Sequence, residues 1–216
     1  MVEPLSHSLG RMFQNISESI EDAKDHLSAL DGAIGDADHG VTMSIGFQAV
    51  KTELGRRDLE GLAPAEVMNL AATAFLNSVG ASTGPLYATG FRRAGQALKD
   101  ATAATPEAQA ALISGIAAGV RERGKGQRGD KTMLDAWIPA AEAAVDANRR
   151  STDSEEMWRA ILAAAEAGAA STGSMVAARG RAARLGERAL GHIDPGAASA
   201  VVILKAMAQA FCADAR

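Results

Sequence analysis

The chain has 216 residues, 47% of them hydrophobic and 4% aromatic, and its 22 basic and 26 acidic side chains give a net charge of −4. This apolar content suffices for a buried core and excludes overall disorder, while the mild negative charge argues against a nucleic-acid partner. The single cysteine, Cys212, together with the lack of a signal-like N-terminus or an apolar run long enough to cross a bilayer, leads us to expect a cytoplasmic protein without a membrane partner.

Apolar residues recur at spacings of three and four along most of the chain, which is the period of one helical face. Met12, Ile16, Ile20 and Leu27 form the first such stripe. The pattern and its breakers predict about eight helices, in chain order near residues 4–30, 41–54, 64–79, 85–101, 105–123, 131–148, 154–179 and 196–213. No linker or repeat divides them, so we predict a single all-α domain over residues 1–216, an antiparallel eight-helix bundle.

Glycine and polar residues concentrate in four connections, at residues 31–40, 80–84, 124–130 and 180–196. These connections follow the first, third, fifth and seventh predicted helices. If neighbouring helices run antiparallel, alternate connections lie at the same end of the bundle. We therefore expect all four to meet at one end and to form a site there.

The first connection contains three carboxylates, Asp31, Asp36 and Asp38, between glycines. Hard oxygen ligands without cysteine suit Mg²⁺ or Ca²⁺ better than zinc. The spacing is not that of an EF-hand loop, since the remaining ligand positions are absent. Taken alone, the same residues also fit an acidic, solvated turn.

The other three connections carry groups that bind anions. Residues 80–85 are small and open directly onto a helix, whose N–H groups can bind an anion, although a tight interhelical turn explains them equally well. Lysines and a capping Asp130 lie in the third connection, where Met133 fits either the core or a soft surface for a flat ring, and Arg181 and Arg188 lie in the fourth. Each could be a solvated loop, but acids and phosphate-binding groups belong together when a metal bridges them, as in phosphoryl transfer.

Residues 30–40, 80–87, 123–135 and 180–197, taken in this order, resemble the nucleotide-binding L subunit of dihydroxyacetone kinases. The resemblance extends over about residues 10–205. It implies an eight-helix barrel that binds ADP or ATP at one end through two Mg²⁺ ions.

By the same resemblance, Asp31, Asp36 and Asp38 would be the catalytic acids and metal ligands. The residues that would approach the phosphates are His39, Thr42, Ala81, Thr83 and Arg181. Those that would surround the adenine and ribose are Gly124, Met133, Asp194, Pro195 and Gly196, and Gly40, Gly80, Ser82 and Thr132 complete the nucleotide-binding set. The sequence departs from the family pattern at Thr42, Ala81, Gly126 and Arg184.

The resemblance implies that a separate K subunit holds dihydroxyacetone, and the length of the chain leads us to expect that no K-like portion is fused to it. Two phosphoryl donors stay open: ADP recharged in place by a phosphocarrier M subunit fed from phosphoenolpyruvate, or exchangeable ATP with another triose or a tetrose as substrate. A third hypothesis is a non-catalytic nucleotide-sensing module. The three aspartates argue against it, because adenine recognition alone does not need them.

Overall fold

The computed structural model describes residues 3–212, and within this range it contains helices and no strand. The α-helices are α1 (Leu5–Ile34), α2 (His39–Gly55), α3 (Pro64–Ser78), α4 (Thr83–Ala97), α5 (Pro106–Gly124), α6 (Leu134–Arg149), α7 (Ser154–Ser171) and α8 (Pro195–Cys212). Two 3₁₀ segments, Thr172–Ser174 and Ala182–Ala189, lie between α7 and α8.

The helices form a closed ring. Each helix packs against its neighbours in sequence, and α8 returns to pack against α1. Helices 2, 4, 6 and 8 therefore begin at the same end of the ring, where helices 1, 3, 5 and 7 end. The all-α, antiparallel eight-helix barrel predicted from the sequence is confirmed.

The interior of the ring holds a cluster of aromatic rings. Phe47 and Phe75 meet edge to face with their centroids 5.1 Å apart, and Phe13 meets Phe91 in the same way at 5.3 Å. Tyr87 packs against these rings and is fully buried. Such edge-to-face pairs add to the hydrophobic stabilisation of the core, so the few aromatic residues of the chain are concentrated where they stabilise most.

Small residues bring α4 and α5 close together. A Cβ placed on Gly115 would lie 2.5 Å from the Cα of Ala94, and one on Gly119 would lie 2.5 Å from the carbonyl oxygen of Thr89. No larger side chain fits at either position without moving the helices apart. The two helices thus hold the second and third connections close to each other.

Three predicted helix ends are wrong by four residues or more. The fourth helix, predicted to end at residue 101, ends at Ala97, and the other two errors affect the site. The first helix continues to Ile34, so Asp31 lies in its last turn rather than in a loop. The seventh predicted helix, 154–179, ends at Ser171, and Ala178 N donates instead to the carbonyl oxygen of Asp130 at 3.1 Å. A tertiary hydrogen bond replaces the helical one there. The last predicted position, residue 213, lies outside the described residues.

The α8 helix corrects the expectation that no segment is apolar enough to cross a membrane. By length and composition Pro195–Cys212 could do so, but 72% of this span is buried inside the protein. The helix packs against α1, α6 and α7. Its hydrophobicity is that of a core helix, and we assign it no membrane role.

Candidate functional site

A cavity of about 700 Å³ opens at the end of the ring where α2, α4, α6 and α8 begin. This volume is within the range of small-ligand sites. All four connections singled out in the sequence contribute to its wall. The predicted site residues that line it are Asp31, Asp36, Asp38, His39, Thr42, Ala81, Ser82, Thr83, Gly124, Thr132, Met133, Arg181, Asp194, Pro195 and Gly196.

The three aspartates form a compact cluster on one side of the cavity. One carboxylate oxygen from each of Asp31, Asp36 and Asp38 lies within 4.8 Å of the others. Asp31 is 9% exposed, and its Oδ2 accepts hydrogen bonds from the backbone N–H groups of Asp38 at 3.0 Å and His39 at 3.3 Å. The last turn of α1 thereby fixes the shape of the acidic loop. Three like charges at this separation repel one another unless a cation lies between them.

Gly35 permits this loop to form. A Cβ at this position would lie 2.2 Å from the Oδ1 atom of Asp31. Real Cβ atoms do not approach an oxygen this closely, so the carboxylate needs a glycine beside it. The guanidinium of Arg181 pairs with Asp36, so an ion pair joins the fourth connection to the acid cluster.

His39 lies beside the acids as a neutral base. Its Nε2 is 2.9 Å from the hydroxyl of Ser199, which also donates to the carbonyl oxygen of Gly196 at 3.0 Å. Burial lowers the pKa of His39 to about 4, although the charge of Asp31 opposes the shift. The imidazole is therefore uncharged at neutral pH and can serve as a hydrogen-bonding group.

The second connection contributes the start of α4 and an unpaired hydroxyl. Thr83 is 8% exposed, and its Oγ1 is buried without a hydrogen-bond partner among residues 3–212. A buried hydroxyl without a partner is costly. Thr83 lines the cavity beside Ser82 and Ala81, so a ligand with hydrogen-bonding oxygens would satisfy it.

The third connection is held by two buried aspartates. Asp135 accepts from the N–H of Thr132 at 2.8 Å and from that of Gly129, while Asp130 pairs with Arg179 through a 2.7 Å contact to Nε. These bonds fix the loop that precedes α6. They also hold Arg179 at the cavity wall.

An apolar surface lies next to these charged groups. Met133 and Leu134 from the start of α6 face the cavity together with Leu86 of α4 and Val120 of α5. Met133 is 7% exposed and Leu134 is 3% exposed. Such a wall is suited to the flat face of an aromatic ligand.

Asp194 ends the fourth connection and caps α8. Its Oδ2 accepts from the N–H of Ala197 at 2.7 Å, and its own N–H donates to Thr172 Oγ1 at 2.9 Å. Burial raises the pKa of Asp194 to about 7, with a further increase from Asp135 and an opposing effect of Lys131. The Asp194 carboxyl lies in the cavity wall, and its pKa is close to neutral pH.

Two predicted binding residues do not line the cavity. Gly40 lies in α2 against α1, where a Cβ would be 2.0 Å from the carbonyl oxygen of Lys24, so its smallness serves helix packing. Gly80 is exposed, and no atom of the described residues lies within 4 Å of the position of a Cβ. Their roles as nucleotide-binding residues stay predictions.

Sequence reasoning did not select several other residues of the wall. Lys131 and three arginines, Arg123, Arg179 and Arg181, give it positive charge, although of these only Arg181 was predicted. Arg179 is the last residue of the predicted helix 154–179, and nothing in the sequence distinguishes Lys131 from the other charged residues near the third connection. Leu86 and Val120 belonged to apolar stripes that the sequence assigns to the core.

Most of the chain matches a known protein family. The family model of the DAK2 domain matches residues 33–209. The chain belongs to this family. An ADP-binding subunit DhaL of a PEP-dependent dihydroxyacetone kinase from Listeria innocua is 38% identical over 197 residues, which is 90% of each chain. The corresponding subunit from Escherichia coli is also 38% identical, over 86% of this chain and 88% of its own.

A solved structure shares the fold. The dihydroxyacetone kinase of C. freundii in complex with AMP-PNP and Mg²⁺ is 27% identical and superposes with a TM-score of 0.73. The match covers 97% of this chain but only 35% of the C. freundii kinase. The resemblance to the L subunits of dihydroxyacetone kinases, inferred from four short segments, is thus confirmed over most of the chain.

Proposed function

We propose that this chain is the nucleotide-binding subunit of a dihydroxyacetone kinase. It passes a phosphoryl group from magnesium nucleotide to dihydroxyacetone held on a separate K subunit. The observation that carries this proposal is that three carboxylates, several arginines and the N-termini of four helices surround one cavity. A polyphosphate accounts for the positive groups, and a dication between it and the acids accounts for the carboxylates.

The residues present fit magnesium. Asp31, Asp36 and Asp38 offer only hard oxygen donors, which Mg²⁺ prefers. We assign two ions to them, because two dications balance the acids and a polyphosphate together. When bound, Mg²⁺ neutralises negative charge on the phosphoryl group. The backbone bonds from Asp38 and His39 hold Asp31 in place for this role.

The start of α4 would bind the phosphates. The buried Oγ1 of Thr83 gains a partner when it donates to a phosphate oxygen, and the adjacent N–H groups of Ser82 and Thr83 belong to a helix N-terminus, which favours anions. Thr42 and neutral His39, in the first turn of α2, line the same cavity. Arg181 can exchange its contact with Asp36 for a phosphate oxygen once a metal holds the acid.

The apolar wall would take the nucleobase. Met133 and Leu134 face the cavity, and the turn formed by residues 194–196 closes it nearby. A Cβ on Gly196 would lie 2.9 Å from the Oδ2 atom of Asp194 and 3.5 Å from the Cβ of Met133. The absence of a side chain there leaves room between the turn and the start of α6. Gly124 and Thr132 complete the wall.

The donor in this proposal is ADP recharged in place by a phosphocarrier fed from phosphoenolpyruvate. The relatives from L. innocua and E. coli are both named ADP-binding subunits of PEP-dependent kinases, which supports it. The partners are then a K subunit and a phosphocarrier, the reaction is cytoplasmic, and residues 1–216 act as one domain.

The test reconstitutes the reaction. Gently purified protein is analysed by mass spectrometry for retained ADP, and formation of dihydroxyacetone phosphate is then measured with and without a K subunit and the phosphoenolpyruvate-fed proteins. We expect retained ADP and turnover only when all components are present. Robust turnover without the K subunit would refute the division of labour. Nucleotide binding without transfer to any K partner would favour the sensing hypothesis.

Exchangeable ATP is the second candidate donor. The structural similarity to a dihydroxyacetone kinase bound to AMP-PNP favours it, since that ligand is an analogue of ATP. In this case the purified site is empty, ATP alone drives transfer, and another triose or a tetrose can be the acceptor. The same mass spectrum and an assay with ATP in place of phosphoenolpyruvate separate the two donors.

A further inference from the structure

Lys131 is a buried cation whose hydrogen-bonding capacity is used entirely by the protein. The residue is 1% exposed and lies in the turn before α6. Its Nζ donates to the carbonyl oxygens of Thr172 at 2.6 Å, Ala189 at 3.0 Å and His192 at 2.5 Å. An ammonium group has three protons, so none is left for a ligand, although the side chain lies at the cavity wall.

The three carbonyl oxygens that accept from Lys131 lie near the two ends of the long connection between α7 and α8. Thr172 follows the end of α7, Ala189 ends the second 3₁₀ segment, and His192 precedes the start of α8. One side chain therefore fixes both ends of residues 172–192. Between these points the chain carries Arg179 and Arg181, which line the cavity.

Apolar packing alone holds this segment weakly. Its buried hydrophobic contacts form a small cluster separate from the main core, made of Ile34, Ala177, Ala182 and Ala189. Val176, which is 47% exposed, and Leu190, which is 42% exposed, face outward. Segments with few buried contacts open easily, so this one depends on polar bonds, and the three from Lys131 join both of its ends to one side chain.

Burial of an ammonium group is unfavourable unless it is fully hydrogen-bonded. Desolvation lowers the pKa of Lys131, and the nearby charge of Asp194 opposes the change. The geometry of three backbone acceptors around one Nζ satisfies the group. An apolar residue here would avoid the desolvation cost but leave three carbonyl oxygens unpaired.

We propose that Lys131 is a positioning residue that preorganises residues 172–194 for nucleotide binding. It fixes the backbone that presents Arg179, Arg181 and Asp194, and it does not contact the nucleotide through hydrogen bonds. This inference rests on the proposed nucleotide site. Preorganisation lowers the cost of ordering a loop on binding, so its loss weakens affinity.

The test compares Lys131→Met with Lys99→Met, which removes the same charge from a side chain that is 74% exposed. Bound nucleotide is first removed from each protein, and titration calorimetry with MgADP then measures the dissociation constant and the number of sites. We expect Lys131→Met to weaken binding about 10-fold or more at unchanged stoichiometry, and to keep turnover with the K subunit at saturating MgADP within about 3-fold. Lys99→Met should behave as wild type. A general folding defect would instead lower the number of sites at unchanged affinity, and this result would overturn the proposal.

Hydrogen exchange supplies a readout that does not depend on nucleotide. The N–H groups of Ala178, Gly191 and Asp194 donate to Asp130 O, Gly173 O and Thr172 Oγ1 respectively. In Lys131→Met these amides should exchange faster, while amides in α1–α5 should keep their protection. Unchanged exchange in residues 172–194 would overturn the proposal.

A second variant, Thr172→Val, loosens the same segment without removing a charge. The Thr172 hydroxyl accepts from Asp194 N and donates to Ala169 O at 2.6 Å, and valine has nearly the same shape. If Lys131→Met does not fold, weaker MgADP binding by Thr172→Val supports the proposal and unchanged binding overturns it. If the wild type itself binds no MgADP, the proposed function fails, whereas the exchange comparison still decides whether Lys131 holds the segment.

Discussion

The start of α4, at the cavity end of the helical ring, differs from the starts of α5 and α7 at the other end in how its N–H groups are capped. At the end away from the cavity, Thr105 Oγ1 accepts from Ala108 N at 3.3 Å at the start of α5, and the Asp153 carboxylate accepts from Glu156 N at 2.8 Å at the start of α7. These are ordinary N-caps, which satisfy N–H groups that have no partner within the helix. The other two helices that begin at this end, α1 after Pro4 and α3 after Ala63, have no side-chain cap bond among the described residues.

At the cavity end the residues before three helices form no such caps. Asp38 precedes α2, Ser82 precedes α4 and Met133 precedes α6, and within the described chain none of them makes a side-chain cap bond. Asp194 caps α8 through Ala197 N.

More distant side chains bind the first N–H groups of α2 and α6. Asp31 Oδ2 accepts from His39 N, and Thr132 Oγ1 accepts from Leu134 N. Within residues 3–212 the start of α4 has no side-chain cap bond. Side chains of the protein therefore bind N–H groups at the starts of α2, α6 and α8, whereas the start of α4, beside Thr83 in the cavity wall, keeps donors available for a ligand.

Capped helix starts add to stability, whereas uncapped helix starts can bind a ligand. Helix N-termini that are not capped carry positive partial charge and free N–H groups, which bind anions. A protein stabilised equally at both ends would give up this capacity. We therefore expect substitutions at the cavity end to affect nucleotide chemistry, and comparable substitutions at the opposite end to affect stability.

The largest effect is expected for Asp36→Ala. This change removes one of three carboxylates that would hold magnesium and frees Arg181 from its ion pair. Turnover with the K subunit should fall about 100-fold or more, since lost charge stabilisation at a transferring group costs several kcal/mol. Asp100→Ala, which changes an 88% exposed side chain at the opposite end, should leave turnover unchanged. Unchanged turnover in Asp36→Ala would contradict the metal assignment.

Two glycine substitutions test the difference between the ends, one at Gly35 in the loop before α2 and one at Gly55, the last residue of α2. Gly35→Ala places a Cβ 2.2 Å from Asp31 Oδ1, so the carboxylate must move. We expect a loss of about 1–3 kcal/mol in the free energy of unfolding and a fall in turnover of about 10-fold. Gly55→Ala at the far end of α2 meets no atom of the described residues within 4 Å, and alanine should stabilise the helix slightly. Equal effects of the two substitutions on turnover, measured beside urea unfolding, would contradict the difference between the ends.

Much of the fold and part of the site could be predicted because local pattern encodes them. The four-residue spacing of Met12, Ile16 and Ile20 marks a helical face whatever the tertiary structure, and the order of helices then places alternate connections at one end. The residue type and spacing of the aspartates in the first connection fit either a hard cation or an acidic turn, and the structure brings one oxygen of each carboxylate within 4.8 Å of the others.

The remainder depends on contacts between distant parts of the chain. Lys131 binds backbone 41 to 61 residues away, and Arg179 pairs with Asp130 across 49 residues. No periodicity reports such bonds, so a buried lysine resembles a surface lysine in the sequence. The same holds for the end of α7, where tertiary hydrogen bonds stop a helix that the pattern of alanines would continue.

The pH dependence of stability should also reveal the cavity end. The pKa of Asp194 rises from 3.8 to about 7 on folding, so its contribution to stability is lost as pH rises through this range. The pKa of His39 falls from 6.5 to about 4, so its contribution is lost as pH falls through that range. Between about pH 4 and 6.5 the two slopes oppose each other, each reaching at most about 1.4 kcal/mol per pH unit.

Single substitutions separate these slopes. In His39→Gln the stability should fall as pH rises from 4.5 to 6, because Asp194 alone contributes. In Asp194→Asn it should increase over the same interval, because His39 alone contributes. Urea unfolding at several pH values measures both, and identical slopes in both variants and the wild type would contradict the opposed shifts.

The smallest effect concerns the caps themselves. Thr105→Ala removes the bond to Ala108 N at the far end, so we expect a loss of about 1 kcal/mol in the free energy of unfolding and no change in the dissociation constant of MgADP. Ser82→Ala removes a hydroxyl that makes no cap bond within residues 3–212 but lines the cavity, so stability should change by less than about 0.5 kcal/mol. The dissociation constant should increase about 3- to 10-fold in this variant, as for one lost hydrogen bond. Two results would contradict this contrast between the starts of α4 and α5. One is an equal loss of stability in Ser82→Ala and Thr105→Ala, and the other is weaker MgADP binding by Thr105→Ala.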